Sequence, residues 1–147
     1  MEKAKQISLM MLMSLIALCS FTSCSGDDDD IISDPASKIT GTYVGTGSLL
    51  YLGIPVESYL GMKFVITKSS NEYVLVTPRT ADGEDFFGRP SVYQITQTAR
   101  GGYSLRSDNS PNITLEISKG GSLTYTNPNV SVGGDSGYTL TFTGDKE

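Results

Sequence analysis

The 147-residue chain has no histidine and no tryptophan, and its only two cysteines, Cys19 and Cys24, lie near its start. Without imidazole, Ser–His and Cys–His nucleophile pairs are excluded, and so are most zinc sites. From Lys38 to Glu147 there is no cysteine, so no disulfide staples that stretch and its stability must come from buried apolar area. The longest apolar run, Ile7 to Leu18, is about a dozen residues, short of the roughly 20 that a membrane-spanning helix needs. Nowhere does an apolar stripe recur at helical spacing over the length of a helix. Basic residues are too few to form a nucleic-acid footprint.

What is present begins with a three-part leader over residues 1–23. Lys3 and Lys5 give a basic start, Ile7 to Leu18 an apolar centre, and Phe21-Thr22-Ser23 a short approach to Cys24. This resembles the lipobox of bacterial lipoproteins, with Phe21 standing where that family prefers an aliphatic residue. Cys19 is the rival position, but Leu18 before it is too bulky for the small-residue slot. The resemblance implies cleavage before Cys24 and attachment of lipid there. Each buried methylene contributes about 0.8 kcal/mol, and stable anchoring takes more than one acyl chain. A diacylglyceryl cysteine with an N-acyl group meets that requirement.

Asp27, Asp28, Asp29 and Asp30 follow the cysteine, and Asp34 closes the same stretch. Such a density of acid cannot enter a core, so residues 24–37, ending in Ser33, Pro35 and Ala36, are expected to be a solvated tether. Without leader and tether, acids and bases nearly balance. The four aspartates lack the interleaved ligands and turn glycine of a calcium loop, and no metal is expected. An acidic cluster after a lipidated cysteine is similar to the surface-export signal of lipoproteins in certain Gram-negative gut anaerobes. It implies the outer membrane, facing the cell exterior; a spacer on the periplasmic face is the alternative.

Residues 38–147 are expected to form one all-β domain. Ile113, Leu115 and Ile117 alternate with polar residues, as do Tyr138, Leu140 and Phe142, and Met62, Phe64 and Ile66. Period-two patterning marks strands with one face inside and one wet. Val74-Leu75-Val76 reads as a run buried on both faces. Thr40 to Leu52 makes one long strand or two, with Gly45 and Gly47 suited to a bulge. Turn signals at Ser69-Ser70-Asn71, Ala81-Asp82-Gly83, Gly101-Gly102, Asp108 to Pro111, Gly120-Gly121 and Gly133-Gly134-Asp135 separate roughly eight strands. An antiparallel meander closed as a small barrel is expected, with a β-sandwich as the alternative.

The opening Ile39-Thr40-Gly41-Thr42-Tyr43-Val44-Gly45-Thr46-Gly47 and the closing Gly137-Tyr138-Thr139-Leu140-Thr141-Phe142-Thr143-Gly144 carry a further resemblance. The chain resembles the calycin-like β-barrel lipoproteins of Gram-negative anaerobes, distantly similar to lipocalins. Gly41 and Tyr43 fall where lipocalins carry a Gly-x-Trp that plugs one end of the barrel, with Tyr in place of Trp.

Chemistry is sparse. The one dense acidic cluster, Asp82, Glu84 and Asp85, shares a loop with Phe86, Phe87 and Arg89. Paired-acid hydrolysis needs a fixed carboxylate separation, whereas turn acids are ordinarily solvated, so no catalytic residue and no cofactor is expected. The expected function is a surface-exposed, non-catalytic binding module for a small molecule, glycan or protein. A structural or accessory subunit of an outer-membrane complex is the alternative. A filled interior with binding at the loops is favoured, because the chain is short for a lipocalin, and its ligand-binding residues are unknown.

Cys24→Ala should abolish lipid labelling and move the protein into soluble fractions; membrane retention would contradict the anchor. Replacing Asp27 to Asp30 with alanine should leave the lipid in place but lower accessibility to protease added to whole cells. Unchanged accessibility would reduce the aspartates to a spacer.

Overall fold

The structure, a computed structural model, describes residues 34–86 and 90–147. Cys24, Asp27 to Asp30, Phe87 and Arg89 lie outside the described residues. Helix α1 (Pro35–Ile39) precedes eight strands: β1 (Gly41–Tyr51), β2 (Ile54–Lys68), β3 (Tyr73–Arg79), β4 (Ser91–Gln97), β5 (Tyr103–Arg106), β6 (Thr114–Ile117), β7 (Ser122–Val132) and β8 (Asp135–Lys146). Each strand pairs antiparallel with the next, and β8 returns to pair with β1 from Tyr43↔Lys146 to Tyr51↔Tyr138. The fold is therefore all-β, one ring-like sheet of eight antiparallel strands. Where a strand is paired on both sides, it leaves no open edge to invite aggregation.

The alternation seen in the sequence sets which face is inside. Met62, Phe64, Ile66, Leu115, Ile117, Leu140 and Phe142 are all buried, and their polar neighbours face outward. Leu75 is only half-buried while Val74 and Val76 are fully enclosed, so β3 is one-sided rather than covered on both faces. The Phe64 ring packs at 4.5 Å from Phe142 and 4.8 Å from Tyr125. These side chains fill the space inside the ring; burying each contributes about 1.5–3 kcal/mol.

Gly45 and Gly144 are cross-strand partners on the closing ladder. A methyl at Gly45 would stand 2.0 Å from the Thr143 carbonyl oxygen, and one at Gly144 would stand 2.6 Å from that of Val44. Beside them the β1–β2 register shifts between Gly45 and Thr46, and the extra residue lies on β2, at Gly61, rather than at the glycines of β1.

Pro35 and Ala36, expected as the end of a linker, instead open α1. Pro35 occupies the first turn, where its missing N–H costs nothing. Asp34 caps the helix, accepting from the Ser37 N–H at 3.1 Å. Ala36 and Ile39 are buried, and the buried Tyr43 hydroxyl donates to the Ile39 carbonyl at 2.9 Å. Burial pushes the Tyr43 phenol up to about 12. The Lys146 ammonium donates to the Lys38 carbonyl at 3.0 Å, and the Ala36 N–H to that of Asn71 at 3.3 Å. One end of the ring is thus capped by a helix too short to hold itself together without it.

Lys68 is hydrogen-bonded to Asp34, and that bond, with the Ser37 hydroxyl, holds the Asp34 carboxyl down at about 2 against an ordinary 3.8. Because the folded value is the lower one, the contribution of this clamp is complete above pH 3.8 and is lost as pH falls through about 2. A carboxyl-carbon NMR titration should place the Asp34 midpoint near 2, and Lys68→Met should move it up toward 3.8. An ordinary midpoint in the unaltered protein would show that the clamp does not form.

Candidate functional site

Strand length makes the two ends unequal. β1, β2, β7 and β8 have 11, 15, 11 and 12 residues, whereas β3 and β4 have 7 each and β5 and β6 have 4 each. β3 meets β2 only from Lys63 to Lys68, and β6 meets β7 only from Leu123 to Thr126. At the end away from α1, the wall β2–β1–β8–β7 therefore rises above the rest.

The raised wall ends in an apolar rim. A row of register partners runs Ile54–Tyr51–Tyr138–Val130 across its four strands. Tyr51 and Tyr138 pack with ring centroids 4.9 Å apart. Leu52 is 75% exposed, Ile54 68% and Val56 55% at the β1–β2 tip, and Leu60 further along β2 is 76% exposed. The charges on the two rim hairpins between Leu49 and Leu60 and between Asn127 and Tyr138 are Glu57 and Asp135.

Leu52 is the unusual member. The two-residue turn Leu52-Gly53 has φ of +49° and +85°, the pattern of the tight hairpin turn that favours asparagine followed by glycine. Leucine there is strained by about 1–2 kcal/mol. It is the one non-glycine residue with positive φ among those described, and its side chain points into solvent rather than into a core that would reward it.

One row down, Glu57 accepts a hydrogen bond from the Tyr59 hydroxyl at 2.7 Å. Burial, then the Glu57 hydrogen bond and charge, push the Tyr59 phenol up to about 12. Tyr59 also meets Phe86 edge-on, centroids 4.6 Å apart. Phe86 is buried, so one of the two loop phenylalanines packs beneath the loop.

The acidic loop does not assemble a paired-acid site. Asp85 is taken by Arg79, 2.9 Å away, which also donates to the Gly83 carbonyl at 3.0 Å. Asp82 and Glu84 are exposed on the turn that Thr80 closes with Glu84. Among the described residues no group of three or more acid, cysteine or histidine side chains converges on a metal position. Two hollows flank the β5–β6 hairpin, one of about 410 Å³ lined by Arg106, Asp108 and Glu116 among others, and one of about 330 Å³ beside Arg100 and Lys119. They sit beside the short strands, on the low-walled side of the molecule.

Sequence reasoning passed over the rim. The signal was there: Leu50 to Val56 stays apolar straight through a turn glycine, where turns are ordinarily polar. Comparison of the chain with protein-family models, with curated proteins and with solved structures finds no match.

Proposed function

We propose that this chain is an outer-membrane lipoprotein, anchored through Cys24 and directed outward by Asp27 to Asp30. Its calycin-like barrel acts as a non-catalytic binding module that engages its partner at the apolar rim. Leu52 is the observation that carries the rim reading. A strained leucine with an exposed side chain lowers stability twice, and backbone strain of this kind persists where a function uses it.

Other features support the same reading. The interior is packed with Phe64, Tyr125, Phe142 and their neighbours, which leaves loops and rim as the binding surface. Tyr43 stands at the α1 end, buried, in keeping with a plug at the start of a calycin barrel. The chain enters the domain at Asp34, at the α1 end, so an anchored molecule has the rim at the far end from its attachment. Asp82, Glu84 and Asp85 are engaged or solvated, which suits a binding role better than hydrolysis.

Leu52→Asn separates stability from function. Asparagine tolerates the left-handed conformation, so the variant should gain about 1 kcal/mol against urea. It should nonetheless recover less material than the unaltered protein after crosslinking on intact cells, with protein, glycan and small-molecule fractions each scored. Equal recovery would remove Leu52 from the binding surface. Recovery of a stoichiometric membrane protein with the unaltered chain would move the reading to an accessory subunit of an outer-membrane complex.

A further inference from the structure

We propose that the β1–β2 hairpin tip, Leu49 to Val56, inserts into a zwitterionic lipid bilayer facing the one in which the chain is anchored. This rests on the binding-module reading and names the rim's partner as a lipid surface.

The tip is apolar on every side. Leu49 is buried and faces the ring interior, so Tyr51, two residues on, shares that face with its register partner Ile54. Leu50 and its partner Pro55 lie on the other face, and Val56 is the extra residue between Pro55 and Glu57. Leu52 and Gly53 form the apex. Leu52 is 75% exposed, Ile54 68%, Val56 55% and Tyr51 42%, and Pro55 is exposed as well. A protein or a second copy laid against one face would leave the other face in water. A medium that closes round the tip covers both faces and the apex at once, and hydrocarbon is such a medium.

Charge and depth agree with this. No residue between Lys38 and Glu57 is charged, and the two rim hairpins carry neither lysine nor arginine. Anionic headgroups attract basic residues, so the surface that complements this tip is one without net charge. Glu57 stands opposite Leu49, three strand positions below the apex, which is about 10 Å. Interfacial elements sink about 5–10 Å into the headgroup and acyl boundary, and that leaves Glu57 among the headgroups. The Tyr51–Tyr138 pair falls within the same depth, where tyrosine is favoured for its apolar ring and polar hydroxyl. Pro55 brings no N–H to be desolvated.

The strained turn acquires a use in this setting. Asparagine would suit the φ of +49° at position 52 but would carry an amide to the leading point of insertion. Leucine puts hydrocarbon there. The direction follows from the fold. The chain enters the domain at Asp34, beside α1, and β1 runs from that end to the tip. Attachment and tip therefore stand at opposite ends, and an anchored molecule bridges two bilayers.

The test uses residues 24–147 with Cys24→Ser, which removes the acylation site; Asp34–Glu147 is one compact unit within it. This chain should float with phosphatidylcholine vesicles equally at low and high salt, and added phosphatidylserine should not increase the bound fraction. The protein has no tryptophan, so Ile54→Trp supplies the sole indole. Its emission should shift to the blue on vesicles and be quenched by lipids brominated in their acyl chains. Lys119→Trp, in the β6–β7 turn at the α1 end, should show neither effect. Leu52→Asn and Ile54→Ser should each weaken binding about tenfold through lost apolar burial, with circular dichroism checking that the fold is kept. The unaltered lipidated chain, held in one vesicle population, should gather a second, bare one. No flotation, binding that requires phosphatidylserine, an unquenched indole at position 54, unchanged affinity in both variants, or no capture of the bare vesicles would each overturn the proposal. The flotation arms contain no acyl anchor and no cellular partner. Failed flotation beside reduced recovery of Leu52→Asn on cells would therefore remove this inference and leave the rim reading standing.

Discussion

The ladder between β1 and β8 is the constraint on which everything else depends. It joins the first and last strands of a meander whose other pairings are all between sequence neighbours. Closing it requires the two backbones to approach at Gly45 and Gly144, where any side chain would meet a carbonyl of the opposite strand. Once closed, it brings Phe142 against Phe64 on β2, with β1 between their strands. Aromatic pairs in such tilted contact contribute about 0.5–1.5 kcal/mol beyond their buried area. The long separation of β1 and β8 in sequence means that the loop-closure entropy comes due before this contact repays it.

The two ends of that ring are built differently. At one, α1 is too short to be a stable helix alone, and Asp34, Lys68, Tyr43 and Lys146 hold it from four directions. At the other, four strands rise past their neighbours, and the β1–β2 hairpin finishes in exposed tyrosine, leucine, isoleucine and valine. Stability is not uniform across a fold, and binding elements are drawn from its less stable parts. The sealed end and the aromatic centre let the rim carry the strained turn at Leu52 without threatening the whole.

Much of the wall was legible in the residues. Period-two alternation at Met62/Phe64/Ile66, Leu115/Ile117 and Tyr138/Leu140/Phe142 marks the inward face correctly, and glycine pairs mark turns because few other residues take their conformation. The features that were missed share a physical reason. Helix α1 spans five residues, and Ala36 and Ile39 alone cannot establish a helical period. The rim is hard to read because the register shifts at Gly45/Thr46 and Leu49/Leu50 add Gly61 and Val56 to β2 and break its alternation where it rises. Unequal strand length, which creates the rim, is set by where β3 and β6 leave their partners. That depends on packing between strands distant in sequence. Leu75 differs from expectation because a short apolar run such as Val74-Leu75-Val76 looks the same whether one face is covered or two.

An exposed apolar rim is a hazard for any protein, since edges and greasy tips aggregate. The molecule limits that hazard by geometry rather than by charge. The bulge before Leu50 and the tight turn at Leu52-Gly53 twist the tip away from a flat edge, and Pro128 interrupts the opposite one. Only Glu57 to Leu60 keeps a regular run between the shifts. A sequence selected for solubility alone would place asparagine at position 52 and lysine at position 60. Leucine stands at both, at the turn that strains it and on the strand that exposes it, so the hazard is met by the shape of the surrounding backbone and not by the side chains themselves.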